Sequence, residues 1–335
     1  MFVSFLSFTC ATFAAPYSAP FWLPSGHLQT IYPAVFAKKS QVDYTRERWE
    51  LADGDFIDAD WTELPTDLGD IKPIVVLFHG LEGNSQSQYA ISLMAAVKAK
   101  GWRGVVIHFR GCSGEPNRLP RVYYAGDTQE IEMMLSRVRA AAPQAPIYAA
   151  GVSLGANALL KWLGESGEHA NTVITKAAAV SAPMDLAASA DALDSGLNRW
   201  LYTPGFVNSM RPKALAMSAR FPGLLNDKKI NDARTIHDID NAVTAVLFGA
   251  TDANDYYAKN ASKLWLKQIS TPTLVINALN DPFIPSGTLP KSDEVSSLVT
   301  LEYSEAGGHV GFVSAPFPGN TQWLPARLIE YFEMR

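Results

Sequence analysis

A serine flanked by glycines is the first group in this sequence that could act as a nucleophile. Residues 151–155 read GVSLG; they follow an apolar run, residues 147–150, and precede a segment with helical spacing. In a strand–turn–helix context of this kind the serine lies in a strained turn, and its oxygen projects from the sheet edge. Strand and helix then approach closely, which demands minimal side chains at Gly151 and Gly155. We predict Ser153 as a nucleophile; a serine that only caps the following helix is the alternative.

A serine hydroxyl needs an adjacent base at neutral pH, and this chain offers six histidines. They are His27, His79, His108, His169, His237 and His309. Where the serine lies in such a turn, the groups follow one another along the chain as serine, acid and histidine. His309 fits this order, because it lies in a glycine-rich loop, residues 306–311 (AGGHVG), just after a strand-like run. We therefore predict His309 as the general base, with an ordinary loop histidine as the alternative.

An acid is needed to orient the histidine and to stabilise its protonated form. Asp281 lies at the end of the apolar run 273–279 and is our predicted acid. An aspartate that only forms a turn ahead of a proline is the alternative. Asp185 is a rival because it follows an earlier strand-like run, and Asp252 and Asp255 are weaker rivals.

Two backbone N–H groups are needed to bind the oxyanion that forms during acyl transfer. We predict that Leu154, directly after the nucleophile, supplies one of them. The other is predicted to come from Leu81, in the loop of residues 79–83 (HGLEG) that follows an apolar run. His79 is then a structural residue of that loop.

Apolar runs alternate with helical patterns over much of the chain, which predicts βαβ units and a mostly parallel sheet flanked by helices. The strand-like runs are residues 46–51, 56–61, 74–78, 104–109, 147–150, 177–181, 273–279 and 298–303. The first two flank a turn signal, residues 52–55, and predict an antiparallel hairpin. The helical segments are residues 86–100, 127–142, one that follows Ser153, and 321–334.

The alternation stops between about residues 184 and 271, and we predict that this segment is a helical cap inserted between two strands. It carries apolar and aromatic side chains, which either line an acyl-binding slot above Ser153 or simply pack the cap onto the core. We predict one α/β domain over residues 21–335, with residues 1–20 as an apolar N-terminal extension. Residues 1–37 contain no charged side chain.

The N-terminal extension lacks the basic start of a secretory signal and is too short for a comfortable membrane span of about 20 residues. We expect a cytoplasmic protein, with export or a weak membrane contact through this segment as the alternative. The chain has 335 residues and a net charge of −5 with no basic block, so no nucleic-acid partner is expected. Its two cysteines, Cys10 and Cys112, form no disulfide framework or zinc motif, and we expect no metal and no organic cofactor.

Several motifs together make the chain resemble the YheT-type α/β-hydrolases. They are residues 22–30 (WLPSGHLQT), 79–83 (HGLEG), 109–118 (FRGCSGEPNR), 151–157 (GVSLGAN), 280–282 (NDP) and 307–311 (GGHVG). The resemblance covers most of the chain from Phe21 onward. It implies the α/β-hydrolase fold and a triad that maps onto Ser153, Asp281 and His309. The resemblance assigns no catalytic role to residues 26–30, and we expect His27 to be a packed structural histidine.

This resemblance also implies a substrate class, because the family is described as carboxylesterases or lipases acting on short- to medium-chain acyl esters. We therefore expect a serine carboxylesterase that hydrolyses a small-molecule acyl ester through an acyl-enzyme. An acyltransferase that uses the same triad is one alternative. A non-catalytic scaffold with the same fold is the other.

Overall fold

The structure is a computed structural model, and it describes residues 16–36 and 40–334. Most of the predicted apolar extension, together with the predicted membrane contact or export signal at residues 1–15, lies outside the described residues. Within the two described ranges, no helix has the length and apolar character that crossing a membrane requires.

In the described part of the chain, eight strands form one sheet in the order β1-β2-β4-β3-β5-β6-β7-β8. The strands are β1 (Thr45–Glu50), β2 (Phe56–Trp61), β3 (Ile74–Phe78), β4 (Arg103–Ile107), β5 (Ile147–Val152), β6 (Lys176–Val180), β7 (Thr273–Ala278) and β8 (Val299–Ser304). β1 and β2 form the predicted hairpin, and β2 pairs antiparallel with β4. The strands from β4 to β8 in this order pair in parallel. The predicted α/β class with a mostly parallel sheet is confirmed.

Helices cover both faces of the sheet, which is why the central strands β3 and β5 are buried along their whole length. The helices are α1 (Gly26–Val35), α2 (Gln88–Ala99), α3 (Thr128–Ala141), α4 (Leu154–Ser166), α5 (Ala170–Val173), α6 (Leu186–Leu193), α7 (Asn198–Leu201), α8 (Thr203–Arg220), α9 (Asp227–Asp232), α10 (Ile236–Ile239), α11 (Ala245–Phe248), α12 (Ala253–Asn260) and α13 (Trp323–Glu333). α2 and α13 pack on one face, and α3 and α4 pack on the other. Short 3₁₀ segments and one π-helical turn complete the helical structure of the described residues.

The register of the parallel strands brings the chemically interesting loops to one edge of the sheet. Phe78, the last residue of β3, lies opposite Gly151 of β5. The loop of residues 79–83 and the turn at Ser153 therefore leave the sheet side by side. Parallel strands place their carboxyl ends at a common edge, and ligands of open α/β sheets bind there.

Between β6 and β7 the chain forms the helices α6 to α12, which we call the cap. The cap has a small apolar core of its own. That core contains Val207, Ala214, Ile230, Ala233, Ile239, Ala242 and Val243. Leu186 and Ile236 of the cap also join the main core, so the cap is packed onto the sheet domain at its base.

Candidate active site

Ser153 occupies the turn between β5 and α4 in a strained backbone conformation. Its φ of 54° and ψ of −121° are values that side-chain-bearing L-residues rarely adopt. Such strain costs about 1–3 kcal/mol and persists only where the surrounding structure enforces it. The Ser153 N–H donates to the carbonyl oxygen of Val180 in β6 at 2.9 Å, which fixes the turn to the neighbouring strand.

The glycines on either side of Ser153 are required by the close approach of strand and helix. A Cβ at Gly151 would lie 2.6 Å from the Cα of Ala156, and one at Gly155 would lie 2.5 Å from the carbonyl oxygens of Phe78 and His79. Both contacts are with backbone atoms, which cannot move aside cheaply. The two glycines of the GVSLG motif are therefore explained by the close packing of α4 against β5 and the end of β3, in addition to their place beside the nucleophile.

The Ser153 side chain lies within hydrogen-bond distance of His309, which in turn contacts Asp281. The Oγ of Ser153 is 3.0 Å from Nε2 of His309, and Nδ1 of His309 is 2.8 Å from Oδ2 of Asp281. The Asp281 side chain is fully buried, and its Oδ1 accepts a hydrogen bond from the Phe283 N–H at 2.8 Å. A carboxylate can only accept, so it holds the proton of His309 on Nδ1 and leaves Nε2 free to accept from the serine.

The rival aspartates serve as helix caps or surface ion pairs. Asp185 caps α6 by accepting a hydrogen bond from the Ala188 N–H at 3.2 Å. Asp252 caps α12, and Asp255 pairs with Lys259 at 2.8 Å. Among the contacts of the described residues, none joins these three carboxylates to His309; the structure brings Asp281 there instead.

Two residues beside Ser153 have backbone N–H groups with no hydrogen-bond acceptor among the described residues. They are Leu81 and Leu154, and both residues line the cavity together with Ser153 and His309. Within residues 16–36 and 40–334, neither N–H donates a hydrogen bond. Leu154 begins α4, so the positive end of the helix dipole adds to the attraction for an anion.

The imidazole of His79 holds the loop that carries Leu81. It donates from Nδ1 to the carbonyl oxygen of Gly80 at 2.8 Å and accepts at Nε2 from the Phe109 N–H at 3.1 Å. Burial lowers the pKa of His79 to about 3, so it remains a neutral donor and acceptor. This agrees with the predicted structural role.

The N-terminal helix α1 supports the loop that carries His309, a role that sequence reasoning missed. The Oγ1 of Thr30 accepts a hydrogen bond from the His309 N–H at 2.8 Å. The Oε1 of Gln29 accepts from the Gly307 N–H at 2.8 Å and from Nδ2 of Asn280 at 2.9 Å. The motif of residues 22–30 was visible in the sequence, but nothing in it indicated which part of the chain it would contact.

Glycines in the histidine loop let α1 approach that closely. A Cβ at Gly311 would lie 1.9 Å from the carbonyl oxygen of Gln29. A Cβ at Gly308 would lie 2.7 Å from the carbonyl oxygen of Gly26, and Gly308 has a φ of +63°. Within α1 itself, Nδ1 of His27 lies 3.1 Å from the hydroxyl of Tyr202, so this histidine packs against the cap.

A cavity of about 800 Å³ lies between the cap and the sheet edge, with Ser153 and His309 in its wall. This volume is typical of pockets that hold small organic ligands. Apolar side chains of the cap that line it include Leu186, Leu193, Phe206, Met210, Met217 and Val243. Cys112 also lines it, but burial raises the pKa of this thiol to about 12, so it is not a competing nucleophile.

The described residues contain no group of three or more histidine, cysteine or acidic side chains that could hold a metal ion. The site itself brings together a serine, an imidazole, a carboxylate and two backbone donors. Those groups are suited to acyl transfer.

Comparison with known proteins places the chain in a family. Residues 73–316, which include Ser153, Asp281 and His309, match the family model described as alpha/beta hydrolase fold. "Putative esterase YheT" of Escherichia coli (strain K12) is 37% identical over 307 residues, covering 91% of this chain and 89% of that protein. The resemblance to YheT-type α/β-hydrolases is confirmed.

More distant relatives and solved structures agree with this placement. Human phospholipase ABHD3 is 28% identical and covers 96% of this chain and 80% of its own length. Monoacylglycerol lipase of Saccharomyces cerevisiae is 29% identical and covers 72% of this chain and 55% of its own length. Est1E of Butyrivibrio proteoclasticus, solved with ferulic acid, has a similar fold, with a TM-score of 0.54 at 13% identity over 85% of this chain and 97% of its own. The chain therefore belongs to the alpha/beta hydrolase fold family.

Proposed function

We propose that this alpha/beta hydrolase is a serine carboxylesterase acting on short- to medium-chain acyl esters. Ser153 attacks the ester carbonyl carbon while Nε2 of His309 takes the hydroxyl proton, and the N–H groups of Leu81 and Leu154 stabilise the oxyanion. His309 then protonates the departing alcohol, which leaves an acyl-enzyme. Water repeats the sequence, with His309 as base, and releases the carboxylic acid.

The observation that carries this proposal is the chain of contacts from Ser153 to His309 to Asp281, at 3.0 and 2.8 Å. A serine alone is a poor nucleophile, and this arrangement supplies the base and orients it. The two unpartnered N–H groups beside Ser153 add the electrostatic stabilisation that acyl transfer needs. An inert scaffold would have no need of a strained serine turn, so we favour an active enzyme.

The cavity supports an acyl ester as substrate. Apolar side chains of the cap line part of it and Ser153 lies in its wall, which suits an acyl chain packed against the cap with its carbonyl at the serine. Two relatives are named as a phospholipase and a monoacylglycerol lipase, which favours an ester of lipid character. The short to medium length of the acyl chain follows the resemblance to the YheT-type hydrolases, and a cavity of about 800 Å³ has room for such a chain.

Covalent labelling tests the nucleophile directly. A fluorophosphonate probe with intact-mass detection should place one adduct on the wild-type protein and none on Ser153→Ala. Ser292→Ala, at an exposed serine, is the matched control and should label like the wild type. An adduct that persists in Ser153→Ala would remove Ser153 as nucleophile and with it the proposal.

A substrate panel tests the ester class. With nitrophenyl acetate, butyrate, octanoate and palmitate, kcat/KM should peak at an intermediate chain and fall at palmitate. Added alcohols should not divert the acyl group from water. Transfer of most of the acyl group to an added alcohol would indicate the acyltransferase alternative instead.

A further inference from the structure

Glu82 follows Leu81 directly and holds a backbone conformation unusual for a residue with a side chain. Its φ is +57°, in the left-handed region that favours glycine. Its neighbours Gly80 and Gly83 show that glycine is accommodated in this loop. A strained glutamate at such a position indicates that its side chain does something a glycine could not.

The Glu82 carboxylate reaches out of the loop to the cap helix α8. Its Oε2 accepts hydrogen bonds from the hydroxyl of Ser209 and, at 2.8 Å, from the ammonium of Lys213. Residues four positions apart lie on one face of a helix, so both donors converge on the same carboxylate oxygen. The Glu82 side chain is only 10% exposed, whereas that of Lys213 is 48% exposed. The pair therefore lies at the cavity wall, with the carboxylate on the inner side.

The other carboxylate oxygen ties Glu82 to the core. The hydroxyl of Tyr123 lies 3.2 Å from Oε1 of Glu82 and accepts a hydrogen bond from the Glu82 N–H at 2.9 Å. Burial raises the pKa of Tyr123 well above its usual value, so the phenol stays protonated and can donate to the carboxylate. Its ring stacks on Phe109 at a centroid distance of 5.4 Å, which holds the hydroxyl in place.

Leu81 is bracketed by these fixed groups. The N–H of Gly80 donates to the hydroxyl of Tyr89 at 2.9 Å, and that of Glu82 donates to Tyr123 at 2.9 Å. The N–H of Gly83 donates to the carbonyl oxygen of Gly80 at 2.9 Å. Of the four consecutive N–H groups from residue 80 to 83, only that of Leu81 has no acceptor in the part of the chain that the structure describes, so it is the one left for a ligand. Its direction is set by the peptide planes on both sides of it.

We propose that Glu82 is a positioning residue, whose carboxylate joins Tyr123 of the core to Ser209 and Lys213 of the cap and so aims the Leu81 N–H at the oxyanion. This inference rests on the proposed esterase function and deepens it. The position of α8 then influences the oxyanion site, because the cap helix and the Leu81 loop contact the same carboxylate. Because the oxyanion forms only during reaction, the effect falls on the transition state more than on substrate binding.

Glu82→Gly is the decisive variant, because glycine adopts a positive φ without strain and the loop keeps its backbone freedom to fold. Its unfolding temperature should fall only slightly, because relief of the strained φ offsets part of the hydrogen bonds that are lost with the carboxylate. Its kcat on nitrophenyl butyrate should fall by roughly 10- to 100-fold, below the full loss of one oxyanion donor, while KM changes by less than about twofold. Glu82→Gln keeps one acceptor oxygen, which can serve either Tyr123 or the Ser209 and Lys213 donors but not both sides, and it should lose less than Glu82→Gly.

The cap contacts are tested in the same way. Lys213→Met should lower kcat by a smaller factor than Glu82→Gly, and the double variant should be no worse than Glu82→Gly, because Lys213 acts through Glu82. Lys259→Met is the matched control, since Lys259 forms an ion pair with Asp255 elsewhere in the cap. Its kcat should equal that of the wild type.

An oxyanion mimic separates positioning from a merely structural role. An alkyl trifluoromethyl ketone takes up the Ser153 oxygen at its carbonyl carbon; the serine proton passes to His309 and the ketone oxygen becomes an oxyanion. Its affinity should fall in Glu82→Gly by the same factor as kcat. If the parent enzyme is active and Glu82→Gly has the same kcat and the same affinity for the ketone, the positioning role of Glu82 is overturned while the proposed function stands. A parent enzyme that neither hydrolyses esters nor takes the fluorophosphonate would overturn the proposed function and this inference together.

Discussion

The hydroxyl of Thr30 accepts a hydrogen bond from the backbone N–H of His309 at 2.8 Å, across 279 residues of sequence. Thr30 lies on α1, the helix that precedes the first strand, whereas His309 lies in the loop after β8, the last strand. The same hydroxyl donates to the carbonyl oxygen of Gly26 at 2.7 Å, so its geometry is fixed within its own helix. The imidazole is therefore held from two sides, by Asp281 at the ring and by α1 at the backbone.

Replacement of Thr30 by valine should lower kcat with little change in overall structure. Valine keeps the shape but removes the acceptor, which leaves the part-buried His309 N–H unpaired at a cost of about 1–3 kcal/mol. The loop should relax, and small displacements of a catalytic group can lower rates by up to about 100-fold. Steady-state hydrolysis of nitrophenyl butyrate measures the effect. Thr30→Ser retains the hydroxyl and should stay near wild type; equal activity of the two variants would contradict this role for α1.

Replacement of Asp281 by asparagine should reduce kcat by about 10⁴-fold. Asparagine can present its N–H₂ group to Nδ1 of His309, which shifts the imidazole proton to Nε2 and removes the acceptor that Ser153 needs. Hydrolysis rates and the rate of fluorophosphonate labelling measure the loss.

Asp185→Asn is the matched comparison for the acid. Asparagine caps a helix as well as aspartate does, so both activity and stability should remain close to wild type. If Asp185→Asn caused the larger loss of activity, the acid would have to be reassigned.

Replacement of Gly311 by alanine should destabilise the protein and lower its activity. The added Cβ would fall 1.9 Å from the carbonyl oxygen of Gln29, so α1 must move away from the histidine loop. Overpacking of this kind costs at least about 1–3 kcal/mol of unfolding free energy. Urea unfolding measures it. Gly287→Ala, where the added Cβ has no atom of residues 16–36 or 40–334 within 4 Å, should change the unfolding free energy by less than about 0.5 kcal/mol.

The buried His79 should make the unfolding free energy depend on pH. Burial lowers its pKa from the usual 6.5 to about 3 in the folded protein. Between these two pKa values the unfolded chain binds more protons at His79 than the folded protein does. The contribution of neutral His79 to the unfolding free energy is therefore complete above about pH 6.5 and is lost as the pH falls toward 3. A single group of this kind contributes at most about 1.4 kcal/mol per pH unit.

Urea unfolding at pH 7 and pH 5 measures this slope. His79→Gln keeps an amide donor and acceptor but does not titrate, so its slope over this interval should be smaller than that of the wild type. An unchanged slope in His79→Gln would contradict the assignment to His79.

Local patterns in the sequence predicted the sheet and the nucleophile turn because both depend on the side chains of residues that are neighbours in the chain. Apolar runs marked the strands, and their boundaries differ from the structure by one or two residues, as in residues 104–109 against Arg103–Ile107 for β4. Glycines at positions 151 and 155 marked a close strand–helix approach. Both signals arise from neighbours in the chain, so a single sequence carries them.

The sequence by itself determined that Ser153 occupies a tight strand–helix turn and that His309 follows the last strand of the sheet. The sequence favoured Asp281 as the acid, but only the tertiary structure decided that it meets His309, because Asp185 also follows a strand. The tertiary structure likewise decided that α1 holds the histidine loop and that Glu82 contacts the cap. Those contacts join segments far apart in the chain, and their distances are set by strand order and helix packing, which no local pattern encodes.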